Sequence, residues 1–356
     1  TCVYIKSDDF IVFYGSFGFI KTLIHHEIMI HFIQSGVPAR LALDERVSTL
    51  DSTGATLVLG TGDTIGKYGY ISNISGSIHH DSVLSAQSGL HYFDVRNRKW
   101  MMYNSKNDLP LNSIKGLHAY FLNNLNGNIL TRDKPIQLGL APVGIIAAYN
   151  YKYRRVIMTF LNFYGSPKVY EKHTITYNEF MDAFEKTNVY YPSLYTYSRD
   201  RLLSVLSRGN KMYVHDEGDY GVYYDNPPVP LELTIVVNDS EIINKIFTNI
   251  EFNSQVLLNG LDQFNETIDR IEIWTSHQNT GNIILVPEDN IKRRKRTWRL
   301  QIARDNDPSA TNFDPLRKSD ARISDRYMFV KVTFTNNNNK RFILHDIMTT
   351  FIIQHE

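Results

Sequence analysis

One short pattern occurs twice in this chain and limits what it can become. The segment Phe93-Asp94-Val95-Arg96-Asn97-Arg98-Lys99-Trp100-Met101-Met102 shares its layout with Tyr149-Asn150-Tyr151-Lys152-Tyr153-Arg154-Arg155-Val156-Ile157-Met158. Each sets an aromatic, a turn-forming Asp or Asn, a basic tip and an apolar return, displaced by 56 positions (149 minus 93). Asp and Asn tolerate left-handed backbone and accept hydrogen bonds from the amides that follow, so the layout reads as one β-hairpin used twice. A looser third copy runs from Arg201-Leu-Leu-Ser-Val-Leu206 through the tip Arg208-Gly-Asn-Lys211 to Met212-Tyr-Val-His215. Repeats of four short strands, about 40–50 residues each, are the signature of propeller blades. The excess over that period is assigned to loop insertions such as Leu122 to Gln137. A single four-stranded blade cannot bury both of its faces, so neighbouring units must cover it.

From residue 55 onward, short strand-like runs alternate with turn signals and little repeats at helical spacing. Aromatic residues make up 12% of the 356 residues and sit among Val, Ile and Thr, a mixture that favours pleated, half-buried surfaces. The run Tyr224-Asp-Asn-Pro-Pro-Val-Pro230 cannot continue a central strand and favours an extended connector. Beyond it, alternations such as Arg270-Ile-Glu-Ile273 and Trp298-Arg-Leu-Gln-Ile302 put one face in a core and the other in water, which suits a sandwich. Asn336-Asn-Asn-Asn-Lys340 reads as a hairpin loop.

The fold class that follows is all-β, with β-propeller-like repeats followed by an antiparallel β-sandwich. The expected domains are an N-terminal segment 1–34, a propeller-like domain 35–225 that is incomplete in this chain, and a sandwich 226–356. Lys21 and His25-His26-Glu27 interrupt the apolar run Phe10 to Ile20 well before the roughly 20 residues a spanning helix needs. That run reads as buried strand. The start at Thr1-Cys2, with no Met, leads to the expectation of a processed product or of part of something longer.

Chemistry is hard to find. Lys plus Arg number 38 and Asp plus Glu 37, for a net charge of +1, which argues against a dedicated nucleic-acid binder. A single cysteine, Cys2, excludes internal disulfides and Cys-based zinc sites. Gly60-Thr-Gly-Asp-Thr-Ile-Gly66 follows a strand-like run, but its spacing is not the dinucleotide fingerprint, it has no Gly-Lys-Ser/Thr, and no amphipathic helix follows. His26-Glu27 precedes His31 one residue too far on for the zinc-hydrolase pattern, although Glu27 and His31 would share a helical face. His79-His80-Asp81 reads as a polar loop. Asp305-Asn-Asp307 begins like a calcium loop, but Pro308 takes the fourth place and Leu316 stands where a bidentate Glu belongs. No nucleophile elbow is present. The sequence therefore names no catalytic, cofactor-binding or metal residue. Lys292-Arg-Arg-Lys-Arg296 is the one dense basic run; it can touch phosphates, pair with an acidic partner surface or form a solvated edge, and the near-neutral total favours the last two. The Tyr-rich stretch Thr187 to Tyr197 suits either protein contacts or packing inside a blade.

Four segments share a further character. They are Leu43-Asp-Glu-Arg-Val-Ser-Thr-Leu-Asp51 leading to Leu57-Val-Leu-Gly-Thr-Gly62, the unit Ser82 to Asp94, Asp325-Arg-Tyr-Met-Phe-Val-Lys-Val-Thr-Phe334, and Lys340-Arg-Phe-Ile-Leu-His345. Together they resemble the C-terminal part of the large tail muzzle or stabilisation-type virion proteins of crAss-like podoviruses, from about residue 35 to the end. The resemblance implies a propeller followed by a sandwich in a multimeric plug or nozzle at the distal tail, with no catalytic residues to carry over. The expected function is a non-enzymatic tail component that closes the DNA exit channel and mediates tail assembly. Its expected partners are other copies of itself, other phage tail proteins and the host cell surface, with no cofactor, no membrane span and no sequence-specific nucleic acid. The expected location is the virion tail, assembled in the host cytoplasm. A receptor- or carbohydrate-binding adhesin, in which the same aromatics stack on sugar rings, is the alternative.

Overall fold

The computed structural model describes residues 13, 15–27, 29–43, 47–50, 56–59, 65–125, 144–161, 172–206, 209–306 and 321–354. Cys2, positions 60–64 of the glycine loop, the insertion beyond Leu125, tip residue Arg208 and the calcium-like loop from Asp307 onward lie outside them. The chain divides into two compact units, Thr1–Asp216 and Glu217–Glu356. All named sheets are antiparallel, as expected of an all-β chain.

The first unit is a series of meanders in chain order. The first sheet holds Ile20–His26, Met29–Gln34, Pro38–Leu43 and Ile65–Tyr70. Leu84–Ser85, Leu90–Asp94, Lys99–Tyr103 and Asp108–Pro110 make the second, and Gly144–Asn150, Arg155–Leu161, Lys172–Asn178 and Ala183–Asn188 the third. A fourth has Leu194–Ser198, Arg201–Val205 and Met212–Val214. Successive side chains on a strand point to opposite faces, and in the second and third sheets both faces are largely dry. Tyr92 and Met101 of the second sheet pack with Ile33 of the first, while Phe93, Trp100 and Met102 pack with Val156, Met158 and Phe160 of the third. Ile146, Ala148 and Ile157 of the third sheet turn the other way, onto Tyr195 and Leu202 of the fourth. Short helices Leu111–Ile114 and His118–Asn124 add Leu111 and Phe121 to the cluster between the second and third sheets.

The repeated hairpin has one register in both copies. Asp94 pairs with Lys99 and Asn150 with Arg155, each across a four-residue tip whose last residue is left-handed, Arg98 (φ 51) and Arg154 (φ 53). Asp94 accepts from the Arg96 amide at 3.1 Å and from Asn97 Nδ2 at 2.6 Å; Asn150 accepts from the Tyr153 amide at 3.3 Å. The same tip recurs at Asn178 to Ala183, where Asn178 accepts from the Phe180 and Met181 amides and Asp182 is left-handed (φ 50). These tips also hold their surroundings: Arg98 donates to the Leu122 carbonyl at 2.7 Å, and Asp182 accepts from both Lys115 and Tyr177.

Two expectations need correction. Within the run Phe10 to Ile20, the described residues 15–19 are not buried strand: Gly15–Phe17 forms a 3₁₀ turn, Gly18 is left-handed (φ 83) and Phe19 is 85% exposed. Gly15 and Gly18, inside the aromatic run, break the strand that its hydrophobicity alone suggests. Asn336 to Lys340 does not join a hairpin, because the strands it connects belong to different sheets. Asn336 clasps this crossing by accepting from the Lys340 amide at 2.8 Å.

The second unit is a sandwich. One sheet orders Leu231–Val237, Met328–Phe334, Arg270–Trp274 and Asn279–Ile284. The other is built on Lys245–Leu258, which pairs with Arg341–Ile353 on one side and with Leu261–Asp262, Ser324–Asp325 and Thr297–Gln301 on the other; Thr297–Gln301 in turn pairs with Ile291–Arg294. Phe247, Phe252, Trp298 and Leu300 from this sheet meet Ile271, Ile273, Val330 and Val332 from the first. Phe247 and Ile250 both face the core although three positions separate them. A bulge at Thr248, where the pairing passes from Phe247↔Phe351 to Asn249↔Thr350, resets the alternation.

Buried histidines tie the first unit to pH. His91 is enclosed between the second and third sheets, where Trp100 Nε1 donates to its Nδ1 at 3.1 Å and its Nε2 meets Ser88 Oγ at 2.8 Å. Burial pushes its pKa down to about 3, and burial also lowers those of His26 and His31. Each folded value lies below the ordinary 6.5, so below that pH the unfolded chain binds more protons and stability falls as pH falls. Burial raises the carboxyls of Asp94 and Asp108, which act in the opposite sense toward the acid end. Thermal melts should therefore be level above about pH 7 and drop by several degrees toward pH 5. His91→Gln should flatten this slope; a slope equal to the parent's would remove His91 from the account.

Candidate contact surfaces

Most of the Tyr-rich stretch lies inside the fold. Tyr190 and Tyr195 are buried, and Tyr195 hydroxyl meets Thr159 Oγ1 at 2.7 Å within a threonine pair, Thr159 and Thr174, at 2.9 Å. Thr174 Oγ1 donates to the Tyr190 carbonyl at 2.7 Å, so this polar chain satisfies hydroxyls that the sheets enclose. The stretch reaches water at Val189, Leu194 and its end, Tyr197, which is 43% exposed.

Tyr197 joins a ridge that the sequence repeat builds. The second copy of the hairpin carries Tyr151 and Tyr153 on its tip, 56% and 42% exposed. Tyr149, Tyr151 and Tyr197 stand edge to face, with centroids 4.7 Å and 5.8 Å apart. The Tyr149 amide donates to Tyr197 hydroxyl at 2.6 Å. Arg155 lies 4.7 Å from the Tyr153 ring and is itself clamped by Glu185, through Nε at 2.6 Å and Nη2 at 2.5 Å. Below, Tyr149 hydroxyl donates to Glu179 at 2.5 Å, and the other Glu179 oxygen accepts from the Ser88 amide at 2.6 Å. The result is a rigid aromatic and basic platform, whose residue types are those enriched at protein-interface hot spots and suited to stacking. A second apolar point is the neighbouring tip, where Phe180 is 82% exposed beside exposed Met181.

In the second unit, Leu231–Val237 pairs with only Met328–Phe334 among the described strands and exposes Leu231, Leu233 and Val236. An apolar edge strand with free ladder groups is a ready template for another chain.

The histidine cluster falls on a hairpin, so the helical-face argument for Glu27 and His31 does not hold. Glu27 is left-handed (φ 53) at its tip, and the His26 and His31 rings lie 5.9 Å apart. His26 Nδ1 meets Ser85 Oγ at 2.8 Å, and the His31 ring lies 5.8 Å from that of Tyr103. His80 pairs with Asp81 at 2.8 Å on the surface. Among the described residues, no three His, Cys, Asp or Glu side chains come close enough to hold a metal ion. Asp305 accepts from the Asn279 amide at 3.1 Å, a loop clasp within the sandwich. The basic run forms the strand Ile291–Arg294 and a tip at Lys295 and Arg296, both left-handed (φ 49 and 75). It borders a cleft of about 720 Å³.

Sequence reasoning missed the Asn178 tip, because its residues are acidic and apolar where the two recognised copies are basic. It also missed Glu179, a lone carboxylate whose reach to Ser88 is set only by the packing of two sheets.

No helix among the described residues is long and apolar enough to cross a membrane. The family model of the crassvirus muzzle protein matches residues 4–208, and that of the crassvirus muzzle protein C-terminal domain matches residues 218–305. A muzzle protein of Bacteroides phage crAss001 is 24% identical over 343 residues, which cover 93% of this chain and 22% of that protein. The chain thus spans about a fifth of the length of this curated relative. With the first match alone taking in more than half of its residues, the chain belongs to the crassvirus muzzle protein family.

Proposed function

We propose that the chain is a non-catalytic structural part of a phage virion, placed at the tail. There, copies pack with one another and with other tail proteins and close the DNA exit channel until adsorption. Assembly takes place in the host cytoplasm, and exposed loops meet the host surface or neighbouring proteins. The observation that carries this reading is membership of the muzzle family across both units. The face-to-face meanders support a propeller-like domain over 35–225, followed by a sandwich over 226–356. Stacked sheets suit a part that must resist internal force, since opening the second or third sheet exposes apolar surface on two sides.

Mass spectrometry of density-purified particles tests the placement: this polypeptide should be recovered in fixed proportion to the other tail proteins. Finding it only free in lysate or medium would overturn it.

The Tyr149–Tyr151–Tyr197 ridge favours a second reading, an adhesin whose aromatics stack on sugar rings. One substitution separates the two. If the ridge is a protein contact, Tyr151→Ala should leave the melting temperature within a degree or two and weaken association with tail proteins about tenfold, as loss of about 1–2 kcal/mol at a hot spot implies. Reproducible glycan-array binding that disappears in Tyr151→Ala would instead establish the adhesin.

A further inference from the structure

The basic run gains its meaning from the face it occupies. Ile291–Arg294 pairs with Thr297–Gln301 so that Lys292 stands opposite Arg299, and Arg294 opposite Thr297. The alternation of the strand sends Lys292, Arg294 and Arg299 to the solvent face, whereas Arg293 lies 5.5 Å from the Trp298 ring. Lys295 and Arg296 crown the tip, and Arg304 completes the lining of the cleft of about 720 Å³.

Like charges directly opposite one another on adjacent strands are destabilising. Arg299 is offset, its Nε meeting Glu251 at 3.2 Å. Among the described residues, no ion pair holds Lys292, Arg294, Lys295 or Arg296. Asp289 is the other carboxylate of the cleft, which leaves four cations against two acids in its lining. A net charge of +1 averages this face away, which is why charge counted over the whole chain gave no sign of it.

The lining also says which anion fits. It carries no aromatic and no Met, so it lacks the anchors of a protein hot spot, and interface cores are depleted in charge. The same lack of rings leaves no platform on which a base could stack. The cleft offers guanidinium forks, one ammonium and the amides of Asn249 and Gln301, the donors that bind phosphate oxygens without reading sequence. We infer that this cleft of the sandwich binds the phosphate backbone of nucleic acid, independent of sequence. An acidic protein surface is the competing occupant.

The test uses the whole chain with a fluorescein-labelled 30-base-pair duplex, the matching single strand, and polyglutamate as a polyanion without phosphate. Duplex binding should fall in the range of about 10⁻⁴–10⁻⁶ M at physiological salt, with log K falling linearly as log salt rises. The triple variant Lys292→Ala, Arg294→Ala, Lys295→Ala removes three exposed cations and spares the Arg299 pair. It should lose at least about tenfold in affinity and lower the salt slope by about 3. The charge-preserving Lys292→Arg, Arg294→Lys variant should bind like the parent, and its melting curve controls for folding. Undetectable duplex and single-strand binding at low salt, equal binding by parent and triple variant, or a preference for polyglutamate would each overturn the inference. Placement in the particle is read separately, by mass spectrometry, so failure of one leaves the other standing.

Discussion

The first unit depends on burial of both faces of its second and third sheets. A strand such as Leu90–Asp94 has no wet side: its alternate residues enter different clusters, one shared with the preceding sheet and one with the following. Each fully buried large apolar side chain contributes roughly 1.5–3 kcal/mol, so a sheet without its neighbours would leave most of that unrealised. Polar groups caught in these layers are consequently bonded in pairs and chains, as with Thr159, Thr174 and Tyr195, or Tyr92 and Asp108 at 2.6 Å. The aromatic excess has a cause here. Large flat side chains cover broad areas of the neighbouring sheet at edge-to-face angles, as Phe93, Phe121 and Phe160 do.

The sandwich follows a different rule and was more legible. Arg270–Trp274 and Thr297–Gln301 alternate in water and core as their letters do, because one face of each sheet is solvated. The repeated hairpin was readable for a local reason: its register is set by an Asp or Asn and the next four residues. What was illegible is what depends on distant partners. Tyr190 and Tyr197 sit in the same stretch, yet one is enclosed and the other exposed, and only the seating of the third and fourth sheets decides which. The crossing at Asn336 looks like any polar turn, because nothing nearby says that the strands it joins belong to different sheets. The aromatic run before Lys21 misled because hydrophobicity outweighed Gly15 and Gly18 in the reading, and the backbone obeys the glycines.

Both units put charge at or beside hairpin tips, to different ends. In the first, Arg155 is neutralised by Glu185 and stiffens an aromatic surface. In the second, the tip of Lys295 and Arg296 extends a row of cations with little to offset it. The same residue type is structural where a carboxylate faces it and available where none does.

The left-handed tips have one more consequence. Glycine would adopt that conformation at least cost, yet Arg98 and Asp182 occupy it and use their side chains on other elements: Arg98 on the helix carbonyl of Leu122, Asp182 on Lys115 ahead of the third sheet. Apolar faces in contact are slippery, since sliding one sheet over another by a residue or two forfeits little buried area. Directional bonds reaching out from the tips do not tolerate such sliding. The turns therefore act as indexing pins, fixing the lateral position of layers whose adhesion alone would leave it undetermined.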